Sequence, residues 1–135
     1  MNSPIDTVQQ IYAAFGRGDL AFILDQLDDD VSWGIDSVAA GEVPPYGLLR
    51  GRQGVTKFFA AWAETADFLS FEPRDFVVAG DQVFNHLAYT AKVRATGRTV
   101  QNFSLQHWTL RNGKVLRWRG YEDTAATRDA WRAQA

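Results

Sequence analysis

The sequence contains no cysteine. Disulfides, zinc–thiolate sites and thiol catalysis are therefore all excluded. Histidine is scarce too, with only His86 and His107. They fall on separate predicted strands with no acids at ligand spacing, so no metal site is expected. Neither charge dominates: 14 Lys and Arg face 16 Asp and Glu, a net charge of −2. A general nucleic-acid binder would show a basic excess or stripe, and none is present. No apolar run approaches membrane-spanning length, and the opening MNSPIDTVQQ lacks the basic start and apolar run of a secretion signal. The glycine-bearing stretches GRGD and GRQG lack the Lys-Ser/Thr pair of a phosphate loop. The expectation is a soluble, cytoplasmic protein without cofactor, nucleic-acid partner or membrane.

What is present is apolar and aromatic. Apolar residues make up 46% of the chain, and Trp, Tyr and Phe 13%. A chain of 135 residues is long enough for one domain with a real core, and the rings are numerous enough to line a cavity as well. Ser3, Pro4 and Asp6 form a helix start, a cap followed by proline and a capping-box acid. Val8, Ile11, Tyr12 and Phe15 follow at helical spacing, and Gly16 and Gly18 end the helix. Leu20, Ile23, Leu24 and Leu27 predict a second helix, closed by the acidic run 28–30, before a short strand VSWGI. Residues 36–50 show no period and read as a long loop, of the kind that forms lids or binding loops. A third helix is expected over 52–66, with Val55, Phe58, Phe59 and Trp62 on one face.

The character then changes. FEPRDFVVAG, QVFNHLAYTAKVRA, RTVQNFSLQHWTLR and KVLRWRGYED read as four strands joined by short Gly-Asp, Thr-Gly and Asn-Gly links. Asn-Gly between apolar runs is a strong hairpin signal. A last helix is expected over 124–133, capped by Asp123. Helices first and an antiparallel meander after them give an α+β fold, a curved sheet with helices across one face. Side chains alternate along a strand, so Val100, Asn102, Ser104, Gln106 and Trp108 share one face and His107 takes the other. Both faces mix apolar and polar residues, as they would if helices covered one and a second subunit the other. Periodicity alone leaves open which set faces the helices.

The order of elements, together with YGLLRGRQGVTKFFAAW, ATGRTVQ and LRNGKVLRWRGYEDT, resembles the SnoaL-like branch of the nuclear-transport-factor-two-like superfamily. That superfamily includes ketosteroid isomerases, limonene epoxide hydrolases and polyketide cyclases. The resemblance covers essentially the whole chain and rests mostly on scaffold motifs. It implies a cystatin-like α+β roll: a cone-shaped curved antiparallel sheet wrapped around three N-terminal helices, with a deep apolar pocket and a homodimer through the outer sheet face. It does not carry the chemistry over. Ketosteroid isomerases use an Asp base with a Tyr and a protonated Asp. The matching positions here are Ile35, Ile11 and Gln106, with Tyr12 next to Ile11 on a different part of the helix face. The Asp–Arg–Asp relay of the epoxide hydrolases matches Leu87, Tyr89 and Gly120. The resemblance also places Asn102, Ser104 and Gln106 toward the pocket and His107 outside, as a structural residue.

The expected catalytic set is Glu122, Gln106 and Tyr89. Glu122 is the one pocket acid, shuttling a proton if burial raises its pKa, or merely solvated if it sits at the rim. The expected ligand pocket adds Trp33, Tyr46, Phe59, Trp62, Asn85, Asn102, Ser104 and Trp118, for an apolar small molecule carrying a carbonyl. Two functions remain open at this stage: an isomerase, cyclase or hydrolase, and a non-catalytic binding or dimerisation module.

Overall fold

A computed structural model describes residues 3–132. Its elements run α1 (Pro4–Gly16), α2 (Leu20–Asp25), β1 (Leu27–Ile35), β2 (Gly47–Arg50), α3 (Gly51–Thr65), β3 (Ala66–Ala79), β4 (Gln82–Val93), β5 (Thr99–Arg111), β6 (Lys114–Tyr121) and α4 (Thr124–Trp131). One open six-stranded sheet has the order β2-β1-β6-β5-β4-β3. The expected capping box closes α1: Ser3 accepts from the Asp6 backbone and Asp6 accepts from the Ser3 backbone. Asp123 caps α4 through the Ala126 amide. Position 133, the expected end of that helix, lies outside the described residues.

The meander β3–β6 is antiparallel throughout, as its short links require. Its inner face is buried along β5 at Val100, Asn102, Ser104, Gln106 and Trp108. That face meets α1 and α3, and the core runs between them.

Three expectations need correction. The acidic run 28–30 lies inside β1 and does not close α2, which stops at Asp25. Acids at a helix C-terminus oppose the helix dipole. Here Arg111 holds Asp28 at 3.0 Å, and Asp29 pairs with Arg52. The stretch 36–50 is not all loop, because Gly47–Arg50 forms β2, antiparallel to β1. Finally, β1 lies parallel to β6, so the sheet is mixed, with one parallel pair beside the antiparallel ones. A contact between residues about eighty apart leaves no local trace in the sequence.

The β1–β2 pair depends on a close backbone approach. Gly34 has φ of 154°, and a Cβ there would lie 1.9 Å from the Gly47 carbonyl oxygen. Gly34→Ala should therefore destabilise the fold by about 2 kcal/mol or more, read as a lowered urea midpoint. An unchanged midpoint would contradict this packing.

Candidate functional site

The helices do not fill the concave face of the sheet. A cleft of about 570 Å³, mouth included, remains between α1, α3 and the inner strands. Its wall is mostly rings: Tyr12 and Phe15 from α1, Phe58, Phe59 and Trp62 from α3, Phe68 and Phe71 from β3, and Trp33, Trp108 and Trp118 from β1, β5 and β6. Ile11, Ile35 and Leu87 complete the apolar lining, while Tyr89, Gln106 and Glu122 are polar. None of the lining residues is basic.

Two amide side chains fix the tryptophans. Trp108 Nε1 donates to Asn85 Oδ1 at 2.9 Å, and Trp118 Nε1 donates to Gln106 Oε1 at 3.0 Å. An indole N–H has no acceptor capacity, so each bond sets which way its amide points. Gln106 Nε2 then donates to Ser104 Oγ at 2.8 Å, and Asn85 Nδ2 donates to the Tyr12 hydroxyl at 3.0 Å. The Tyr12 proton has longer bonds, 3.3 Å to Gln106 Oε1 and 3.4 Å to Asn85 Oδ1. Burial keeps the Tyr12 phenol neutral. Trp33 stacks on Trp118 with ring centroids 4.6 Å apart. Its Nε1 is buried and has no hydrogen-bond partner. Such an orphaned donor costs roughly 1–3 kcal/mol.

Glu122 follows the end of β6 and is half-buried at the cleft. Four donors converge on its Oε2: Tyr46 at 2.5 Å, Tyr89 at 2.8 Å, Thr127 at 3.3 Å and Asn102 at 3.4 Å. None of these bonds goes to Oε1. Asn102 also donates to the Tyr89 hydroxyl and to Thr127, and accepts from the Asp123 amide. Desolvation pushes the Glu122 pKa above the ordinary carboxylate value, and the Tyr46, Tyr89, Thr127 and Ser104 hydroxyls pull back against it.

Of the residues expected at the pocket, Trp33, Phe59, Trp62, Tyr89, Gln106, Trp118 and Glu122 line the cleft. Tyr46, Asn85, Asn102 and Ser104 stand behind it and hold the lining groups through the bonds just described. Tyr12 corrects the sequence reading, since it reaches the cleft together with Ile11. Tyr12 shares the helical period of Val8, Ile11 and Phe15, which marks it as buried but not as a cleft hydroxyl. The signal for Tyr12 was its phenol among buried polar partners, which only the tertiary fold displays. His107 lies on the outer face, stacked on Phe84 and bonded to Gln82. Burial and Arg117 lower its pKa, and it does not line the cleft. The position matched to the second acid of the epoxide-hydrolase relay is Gly120, where a Cβ would lie 3.0 Å from Ile35 and 3.1 Å from the Trp118 ring, so any side chain there requires those two to give way. Among the described residues no cluster of three or more His, Asp or Glu could hold a metal ion, and no helix is long and apolar enough to cross a membrane.

A sequence profile of the SnoaL-like domain matches residues 8–118. An NTF2-like protein of Burkholderia xenovorans LB400 shares 30% identity, with 96% of this chain and 95% of that one covered at a TM-score of 0.86. TerC, crystallised with polyporic acid, shares 27% identity over 95% and 98% of the two chains at a TM-score of 0.82. An NTF2-like protein of unknown function from Burkholderia pseudomallei K96243 has a similar fold, with a TM-score of 0.87 at 22% identity and 98% and 100% coverage. No curated protein matches the sequence.

A carboxyl whose pKa is raised in the folded state stabilises that state fully only below its unfolded value. The contribution is lost as pH rises through the folded value. Glu122→Gln should therefore show a smaller fall in stability than the wild type as pH rises above the ordinary carboxylate range, measured by urea unfolding. Tyr46→Phe removes a donor to Oε2 and should raise the Glu122 pKa further, read by carboxyl ¹³C NMR. Parallel stability profiles for wild type and Glu122→Gln would contradict the burial of this group.

Proposed function

The chain belongs to the SnoaL-like domain family, and within it we propose an acid–base enzyme acting on an apolar, carbonyl-bearing small molecule. One observation carries the reading: a half-buried glutamate with two phenols on one oxygen, in an aromatic cleft without a basic lining residue. With Oε2 held by its donors, Oε1 takes a proton from the carbon next to the substrate carbonyl and returns it elsewhere. The Tyr12 hydroxyl and the Gln106 amide stand two β6 positions away, since Gln106 pairs with Gly120. They polarise the carbonyl and hold the enolate oxygen that forms. Tyr89 and Asn102 act through Glu122, as positioning residues. TerC, a relative of similar fold, was crystallised with a small organic molecule, polyporic acid, which supports a small-molecule ligand.

The alternative is a module that binds the same ligand without chemistry, favoured by the missing acids at positions 35, 87, 106 and 120. Deuterium exchange separates the two. Ketones with exchangeable α-protons, incubated in D2O with the protein, should exchange faster than background. Glu122→Gln should cut that gain by about a hundredfold or more. Exchange equal in both proteins would remove Glu122 from the chemistry. A ketone that raises the melting temperature but exchanges only at background rate would establish the binding module instead.

The outer sheet face supports a second copy of the chain as partner. Phe103 and Tyr121 are 57% and 51% exposed there, with Leu105 between them in the ladder, a larger apolar patch than a solitary surface ring. Phe103→Glu should convert a dimer into a monomer by light scattering without loss of secondary structure. A monomeric wild type would overturn the dimer.

A further inference from the structure

Seven of the eleven arginines each pair with a carboxylate. An eighth, Arg98, donates to the Asp129 carbonyl near the end of α4. The three that remain, Arg50, Arg117 and Arg119, stand together around Ser32. Ser32 is the ladder partner of Arg50 on one side and of Arg117 on the other. Arg119 donates from one guanidinium nitrogen to Ser32 Oγ at 2.9 Å and from the other to the Trp118 carbonyl at 2.9 Å. The neighbours Trp33 and Trp118 line the cleft, so alternation turns Ser32, Arg117 and Arg119 to the outer face. Arg50, directly opposite Ser32, shares that face.

The side chains of Arg50 and Arg117 are exposed and have no hydrogen-bond or ion-pair partner among the described residues. Ser32 Oγ accepts from Arg119, and its own proton is uncommitted. Neighbouring strands lie about 4.8 Å apart, so Arg50 and Arg117 leave the sheet about 10 Å from each other with Ser32 midway. Like charges so placed repel. Burial, then the charges of Arg117 and Arg50, hold the Arg119 pKa below its ordinary value, with Tyr121 and Asp36 opposing them. Asp36 makes no ion pair with any of the three.

We propose that Arg50, Arg117, Arg119 and the Ser32 hydroxyl form a binding site on the outer sheet face for the phosphoryl group of a small, soluble phosphomonoester. A guanidinium fork matches phosphate oxygens two at a time. A carboxylate brings one charge and two oxygens, whereas a phosphoryl group brings nearly two charges and three oxygens. That suits donors arriving from three strands. A net charge of −2 sets the chain as a whole against an anionic membrane or a nucleic acid, and a patch three strands wide fits one such group. The site lies behind the Trp33–Trp118 pair, on the opposite side of the sheet from Glu122, and stands independently of the acid–base reading.

The probe is inorganic phosphate, titrated into the full chain at about pH 7.5, where it is largely dianionic. Sodium chloride holds the ionic strength constant, and the arginine ¹³Cζ resonances report the contact. Saturating shifts are expected at Arg50, Arg117 and Arg119. Arg50→Gln and Arg117→Gln should each weaken binding by about tenfold or more. Both replace exposed, unpaired side chains, so both keep the fold. Arg74→Gln, at an outer-face arginine paired with Glu72, should leave the affinity unchanged. Acetate should bind about tenfold more weakly than phosphate. Shifts that do not saturate, equal affinity for acetate, or a loss in Arg117→Gln no larger than in Arg74→Gln would each overturn the site. Vesicles of phosphatidylcholine and phosphatidate test the other source of the same group. Sedimentation of the protein with them in an Arg117-dependent way, without binding of free phosphate, would overturn the soluble ligand.

Discussion

A buried indole nitrogen can only give a hydrogen bond, and the inner wall is organised by that one-way rule. Trp108 and Trp118 demand acceptors, and Asn85 and Gln106 supply them from the strands between. Once the amide oxygens are committed, the amide nitrogens must turn to Tyr12 and Ser104. The polar residues on the inner face of the sheet are thus a satisfied frame for the rings and do not disturb the core. Loss of one amide would strand an indole and release its ring. Cleft shape and hydrogen bonding are therefore one property.

At the other end the balance is electrostatic. Burial opposes the charge on Glu122, and hydroxyls from four parts of the chain, Ser104 of β5 among them, support it. Tyr46 comes from the segment before β2, Tyr89 from β4 and Thr127 from α4. Burial favours the neutral acid, and the hydroxyls favour the carboxylate. The opposition of the two is what brings a carboxyl toward the range where it can both take and return a proton.

Much of this was legible in residue order. The Gly-Asp and Asn-Gly links mark the hairpins because few other dipeptides accept their turns: Asn112 and Gly113 both take positive φ. Strict alternation along 99–110 put Gln106 and His107 on opposite faces before any coordinates. Glu122 was visible as the one acid in phase with Trp118. What stayed hidden was set by distance. The β1–β6 pairing and the turn of Tyr12 toward Asn85 join residues about eighty and seventy apart, where no local pattern reaches. The run 28–30 misled because acids that end a helix and acids that await Arg52 and Arg111 look alike in sequence, although the helix dipole disfavours the first.

The parallel seating of β1 against β6 has a consequence for how the chain is made. The strand at Leu27–Ile35 has to wait for the much later segment Lys114–Tyr121. Until then its flank beside β6 is open, and Trp33 has no ring of Trp118 to lie on. On the ribosome the helices and the first hairpins can form early, but the cleft cannot be rehearsed in pieces. It comes into being as one late event, and a nascent chain paused before residue 115 holds its tryptophans uncovered, where a chaperone would find them.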